Sequence, residues 1–326
     1  TGVRADHRLA VAPSQIPALL AGVANRLVAE HGLELPAAAA GFAGASGGAT
    51  AETNDFSELL AEDLMAHRGS SLVLVGSRPA PSVHALAAVL NEALAGVGQT
   101  ISYIEDPDPE RPSHVEAIAE LAAAVQAGEV GTLLILGGNP VFDAPTELGF
   151  AELLAQVPVT AHLSLYDDET SRQCSWHLPA AHALEAWGDG LAWDGTMTLR
   201  QPLIAPLYEG RSDLEILALL LDGGPASGHD LVRETLAARA PAGDFEQFWK
   251  QSLHDGIVAD SAAPAVAPRT DPSALSSAVD GLRAELDAEP PTADRKELVL
   301  TADPSIYDGR YANNGWLQEV PDPLTK

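Results

Sequence analysis

The stretch Thr132-Leu-Leu-Ile-Leu-Gly-Gly-Asn-Pro140 decides the fold. A short apolar run that stops at two glycines and a proline reads as a strand buried inside a parallel sheet. A second run follows, Val159-Thr-Ala-His-Leu-Ser-Leu165, ending in Tyr166-Asp-Asp-Glu-Thr170, with a helix between them near residues 147–157. Upstream, Ser71-Leu-Val-Leu-Val75 predicts a strand and Val83, Leu86, Leu90 and Leu94 one face of a helix. Thr100-Ile-Ser-Tyr-Ile104 predicts another strand. Ser113 and Glu116 form a capping box for a helix carrying Val115, Ile118, Ala122 and Val125. Strands alternating with helices of this length mean βαβ units, a parallel sheet and helices on both of its faces. Ligands of such sheets bind beyond the carboxyl ends of the strands, so the segments at 137–140 and 166–170 are candidate site loops.

Working outward, Ile16, Leu19, Leu20, Val23 and Leu27 give a helix over 13–30. Residues 36–51 are Ala/Gly-rich and read as a flexible loop. Gly44-Ala-Ser-Gly-Gly48 does not continue into Gly-Lys-Ser/Thr, so it is no phosphate-binding loop. Asn54 is placed to cap a second helix, with Phe56, Leu59, Leu60 and Leu64 on one side. After residue 190 the pattern changes. Leu191–Leu199 reads as a hairpin turning at Asp194-Gly195. Gln201-Pro-Leu-Ile-Ala-Pro206 is extended, and Ser212 with Glu215 opens a helix through Leu221. Residues 244–253 predict a helix with Phe245, Phe248 and Trp249 on one face. Residues 259–273 predict a linker, Leu275, Val279, Leu282 and Leu286 a further helix, and Glu297–Thr301 a last strand. The expected class is α/β: a Rossmann-like parallel sheet with helices on both faces, a β-hairpin and an irregular C-terminal extension. The expected segments are 1–53, an N-terminal helix and loop; 54–222, the Rossmann-like domain; and 223–326, a helical extension and tail.

Composition narrows the function classes. The 326 residues carry 18 Lys and Arg against 46 Asp and Glu, a net charge of −28. Phosphate backbones are repelled by such a surface, which argues against nucleic-acid binding. The surplus acid also fits adaptation to high salt, where counterions screen self-repulsion; an ordinary acidic, Ala-rich bacterial protein is the other reading. The mean hydropathy of +0.03 is that of a globular chain. No apolar run approaches the roughly 18–20 residues that span a bilayer, so no direct membrane insertion is expected. The chain begins at Thr1 without a signal-peptide pattern and reads as a piece of a longer protein.

The residues that could carry chemistry cluster just beyond the predicted strand ends. Glycines at 137 and 138 let a ligand approach the backbone, and Asn139-Pro140 forces a turn. By itself this is a tight strand-to-helix turn as readily as a ligand cradle. The acids at 167–169 could accept hydrogen bonds from a ribose or a guanine edge, or simply cap the next segment. Cys174, His177, His182 and Glu185 are all metal-ligand types, but their spacing matches no tetrahedral zinc pattern. Cys174 is the one cysteine, so no internal disulfide and no cysteine-held iron–sulfur cluster can form. Its apolar, strand-like surroundings suit an inert thiol. Trp187 and Trp193 read as core or domain-contact aromatics.

Taken together, Leu136-Gly-Gly-Asn-Pro140, Tyr166-Asp-Asp-Glu-Thr170, His177-Leu-Pro-Ala-Ala-His-Ala-Leu-Glu-Ala-Trp-Gly-Asp189 and Gln201-Pro202, in this order, resemble the molybdopterin oxidoreductase family of the dimethyl-sulfoxide-reductase type. His182–Asp189 and the tail Asp308-Gly-Arg-Tyr-Ala-Asn-Asn-Gly-Trp-Leu-Gln-Glu319 look like one branch of it. That branch is the fused molybdopterin-like and iron–sulfur subunit of alternative complex III, a quinol-oxidising membrane assembly. The resemblance covers roughly residues 54–326. It implies that Gly137, Gly138, Asn139, Asp168, Glu169 and Thr170 form the wall that in active members lines a molybdopterin guanosine dinucleotide. The family's usual Ala-Asp-Val-Val before Leu-Pro is replaced by Cys174-Ser-Trp-His177, whose bulk stands against that cofactor. The branch is also understood to have lost molybdenum and kept the domain as scaffold.

Three readings follow. The first is a non-catalytic scaffold domain, without catalytic residues or a cofactor of its own. It would sit in the large subunit of a membrane-associated quinol:electron-acceptor oxidoreductase, on the extracytoplasmic face of a bacterium. Iron–sulfur clusters would sit in absent parts of the parent. Its partners would be other domains of that subunit and other subunits of the complex. The second is a domain of a working molybdenum enzyme, with the same loops holding the cofactor. The third is a stand-alone small-ligand-binding α/β domain.

Overall fold

The computed structural model describes residues 4–320 other than 46, 107, 242, 290, 293 and 304. The chain divides into two compact units. One is built from residues up to Glu105 together with Ala265–Leu300, the other from Asp106–Pro264 together with the residues from Thr301 onward. The expected 54–222 segment is therefore divided at 105/106, and the 223–326 segment at 264/265 and 300/301.

The first unit opens with α1 (Ile16–Ala29), which buries Pro17, Ala18, Ala21, Val23, Ala24 and Leu27. α2 (Ala51–Ala66) is capped by the Thr50 side chain, which accepts from the Thr53 amide. Its start lies four residues before the expected Asn54 cap, because the Thr50 and Thr53 hydroxyls satisfy the first free amides reciprocally. The first part of the Ala/Gly-rich stretch before it is packed, contrary to the flexible loop expected there. Residues Ala37–Phe42 form a 3-10 turn in which Ala39 and Phe42 are fully buried. Here the small residues serve close packing: a Cβ on Gly41 would lie 2.8 Å from Val279 Cγ1, and one on Gly47 would lie 2.7 Å from the Leu286 carbonyl oxygen. α3 (Pro81–Ala93) adds Val83, Leu86 and Leu90 to the same core.

Three expected strands of this unit form no ladder among the described residues, two of them before residue 105. Residues 71–75 are extended but belong to no ladder. The Asn91 carboxamide of α3 takes the place of a neighbouring strand, accepting from Val73 N at 2.8 Å and donating to Val73 O at 2.9 Å. The Thr100 hydroxyl donates to Ser71 O at 2.8 Å. Residues 100–104 make only isolated bridges, Val97 with Ile101 and Tyr103 with Val266.

The second unit carries the sheet. α4 (His114–Gln126) starts at the expected box, with Glu116 N donating to Ser113 Oγ and the Glu116 carboxylate accepting from Ser113. β1 (Thr132–Leu136) leads through the short helices α5 (Pro140–Asp143) and α6 (Phe150–Leu154) to β2 (Val159–Ser164). β1 and β2 are parallel, with Thr132 opposite Val159 and Leu136 opposite Leu163. β3 (Trp176–Pro179), which the sequence does not announce as a strand, extends the parallel sheet on the far side of β2, from Ala161 opposite Trp176 to Ser164 opposite Pro179. Leu133 and Ile135 of β1 pack on Ala122, Val125, Phe150, Leu153, Leu154 and Val157. The fold is thus α/β, as the alternation predicts, with a sheet of three strands.

β4 (Gly188–Leu191) and β5 (Met197–Arg200) form the expected antiparallel hairpin, with Gly195 at φ +82° in its turn. α7 (Asp213–Asp222), α8 (Gly228–Ala237) and α9 (Phe245–Asp255) follow. Met197, Leu199, Val232, Leu236, Trp249 and Val258 make a separate core beneath the hairpin. Trp187 stacks on Trp249 at 6.0 Å between ring centres, whereas Trp193 is 97% exposed and is no core aromatic. The chain then re-enters the first unit. There α10 (Pro272–Leu286), capped by Asp271, buries Leu275, Val279, Leu282 and Leu286 as expected. Residues 297–300 pair in no ladder among the described residues, contrary to the strand expected there. The last described element is α11 (Gly315–Glu319). Among the described residues no helix is long and apolar enough to cross a membrane.

Candidate functional site

β1 and β2 deliver two loops to one end of the sheet. Beyond Leu136 the chain reverses through Gly137 and Gly138, both at φ +71°. Left-handed backbone costs a non-glycine residue about 1–2 kcal/mol, so the pair is a conformational requirement. Space is not the reason at Gly137, where a Cβ would meet nothing within 4 Å. Gly137 N donates to Leu163 O at 2.8 Å, carrying the β1–β2 pairing one residue past the strand end.

Asn139 joins the two loops. Its Nδ2 donates to Glu169 Oε2 at 2.7 Å. Its Oδ1 accepts from the Thr170 hydroxyl at 2.7 Å and the Thr170 amide at 3.3 Å. Thr170, fully buried, in turn accepts from Val141 N at 3.1 Å, the first free amide of α5. The hydrogen bond from Asn139 holds the exposed Glu169 carboxyl below its ordinary range.

Asp168 turns inward rather than toward a ligand. Its carboxylate accepts from Ser171 N at 2.9 Å and from the Ser164 hydroxyl at 3.2 Å. Behind it lies His162, fully buried on β2. His162 Nε2 is 3.1 Å from Gly138 O. A carbonyl only accepts, so Nε2 carries a proton. Nδ1 lies 2.8 Å from Ser171 Oγ and 3.5 Å from Asp168 Oδ1. Ser171 Oγ also meets His177 Nδ1 at 2.9 Å. His162 and Ser171 are the residues that sequence reasoning missed. The one signal available was an ionisable side chain inside an otherwise apolar strand, which a buried position obliges to find partners.

Of the six expected site residues, Asn139, Glu169 and Thr170 therefore meet directly. Gly137 and Gly138 shape the turn, and Asp168 buttresses the second loop from within. Trp176 does not fill the space beyond the glycines: it is 64% exposed and stands level with Ala161 and Leu134, two residues before the end of β1. Burial raises the Cys174 thiol above its ordinary value, which keeps it protonated and unreactive at neutral pH. The tail reaches the same neighbourhood. Arg310 forks onto Asp308 at 2.6 and 2.9 Å, lies over the Tyr307 ring, and offsets part of the burial that raises the Asp143 carboxyl.

His182 and Glu185 are engaged locally, Glu185 accepting from His182 N at 3.1 Å. No group of three or more His, Cys, Asp or Glu side chains placed to hold a metal occurs among the described residues. A scan against protein-family models and a search of the curated proteins gave no match to this chain.

Proposed function

We propose that this chain is a scaffold domain of a membrane-associated quinol:electron-acceptor oxidoreductase, of the alternative complex III type, and that its strand-end loops hold each other rather than a cofactor. The observation that supports this is the closure of Asn139 on the next loop. Both ends of its carboxamide are engaged by Glu169 and Thr170, and the Thr170 hydroxyl is engaged by Val141. A pterin dinucleotide that took hydrogen bonds from Asn139 would compete with these contacts, and losing them would leave the buried Thr170 hydroxyl proton without its acceptor. Asn139, Glu169 and Thr170 are on this reading committed to one another rather than to that group. On this reading the domain acts by shape, presenting a rigid α/β surface to other domains of its subunit and to other subunits of the complex.

A second reading, a domain of a working molybdenum enzyme, is favoured by two features, one being that the exposed Trp176 does not fill the space beyond the glycines. Gly137 and Gly138 are both left-handed, and Gly137 has open space beside it. Elemental analysis of the protein isolated from its native membranes distinguishes the two. The scaffold reading expects iron from partner clusters with no molybdenum and no pterin fluorescence after acid release. Stoichiometric molybdenum with a released pterin would overturn it.

A further inference from the structure

The first unit contains an unpaired strand edge. In an extended run, successive residues direct their backbone N–H and C=O groups to opposite edges. On one edge of residues 71–75 the groups are engaged, Ser71 by Thr100 and Val73 by Asn91. On the other edge Leu72 and Leu74 have no backbone or side-chain partner for N–H or C=O among the described residues. The side chains alternate as in a half-buried strand. Val73 and Val75 pack on the core, whereas Leu72 and Leu74 are 46% and 84% exposed.

A cavity of about 940 Å³ runs beside this segment, walled by Ile16, Leu20, Leu60, Val73, Val75 and Glu297 among others. Glu297 is pinned there by Ser14, whose hydroxyl donates to it at 2.9 Å. The run that follows has no helix or ladder assignment among the described residues, with Leu298 and Leu300 more than four-fifths exposed (83% and 82%) and Val299 at 37%. The cavity therefore lies along the Val73–Val75 run and reaches Glu297 at the start of the second, and neither run is in a ladder among the described residues.

We infer that this cavity is an acceptor site for an extended strand of a partner polypeptide, added to the Leu72–Leu74 edge. An edge of free amides and carbonyls is satisfied by main chain. An apolar wall asks for apolar side chains at every second position of that strand. A five-residue strand covers about 17 Å, the reach of the 71–75 run itself. The occupant is not a second copy. This chain carries a net charge of −28; Glu285 and Glu297 line the cavity together with one cation, Arg78, which leaves the wall net acidic, so the charge favours a strand flanked by lysine or arginine. The inference concerns the first unit alone and stands whichever way the second unit's loops are used.

The test uses the whole 326-residue chain and a library of nine-residue peptides, lysine at both ends, alternating Val, Ile or Leu with Thr or Ser. Selected peptides are expected to slow amide exchange of Leu72 and Leu74 by about tenfold or more. Methylating alternate amides of the peptide on its pairing edge is expected to abolish binding. Leu74→Pro, which removes one N–H from the free edge at an exposed position, is expected to do the same while the thermal transition is retained. Three outcomes would overturn the proposal: no peptide is selected; methylated and unmethylated peptides bind equally; or Leu72 and Leu74 are already protected in the free chain, by a second copy or by residues 297–300.

Discussion

Asn139 ties the two sheet-end loops to each other. It makes three hydrogen bonds across 30 or so residues of sequence, and its partner Thr170 is fully buried. Asn139→Ala leaves that hydroxyl and amide without their acceptor, so the expected loss is about 1–3 kcal/mol, read from urea unfolding. The pH dependence has a definite sign. Glu169 is held below its ordinary 4.5 in the folded chain, so it contributes stability that is present above pH 4.5 and is lost as pH falls through the lower folded value. Asn139→Ala should remove that part of the acid sensitivity, because the Asn139 hydrogen bond is the leading cause of the shift. Cys174 offers a second reading at this scale. Burial raises its thiol, and it is the one cysteine of the chain, so iodoacetamide at pH 8 should modify the folded protein several-fold more slowly than the urea-unfolded one. Equal rates would mean that the thiol is open to solvent.

Among the elements, the short turn over Ala37–Phe42 is the least expected contributor to stability. Low-complexity sequence commonly marks a linker, yet Phe42 is fully buried with Leu27, Leu86 and Leu282 in one cluster. Phe42→Ala should cost about 3–5 kcal/mol, whereas a linker would tolerate it without change. Gly41 makes the complementary point. Its missing Cβ lies where Val279 Cγ1 of α10 already stands, so Gly41→Ala should cost about 1–3 kcal/mol by overpacking. Pairing it with Val279→Ala should recover part of that loss in a double-mutant cycle. The runs 71–75 and 297–300, which join no ladder among the described residues, belong to the same scale. Their composition is that of strands, and what they lack is a neighbour.

For the molecule as a whole the dominant physical fact is charge. A net −28 on 326 residues makes self-repulsion a standing cost of compactness, and salt shortens its range from about 10 Å at 0.1 M to about 3 Å at 1 M. The melting temperature should rise between those concentrations of potassium chloride. A flat or falling response would count against salt adaptation. How much of the fold was legible in the chain depends on how far each signal reaches. Capping boxes at Ser113–Glu116 and Ser212–Glu215, the Asp194-Gly195 turn and the apolar faces of α3, α9 and α10 were readable because each is complete within a few residues. The β1–β2 pair was readable because two apolar runs joined by short helices have few alternatives to parallel pairing. Of the site, the sequence placed the two loops at one sheet end through their glycines and acids. It could not say that Asn139 closes on Thr170, or that His162 ties Gly138 to Ser171, since those contacts join residues 24 and more positions apart or depend on a buried side chain. The tertiary structure alone decided that Trp176–Pro179 pairs beside β2, that Asn91 stands in for a strand at Val73, and that an Ala/Gly stretch lies in the core. The reason is common to all three. Propensity and periodicity fix what shape a segment prefers, whereas pairing and burial are set by which distant surface comes to lie against it.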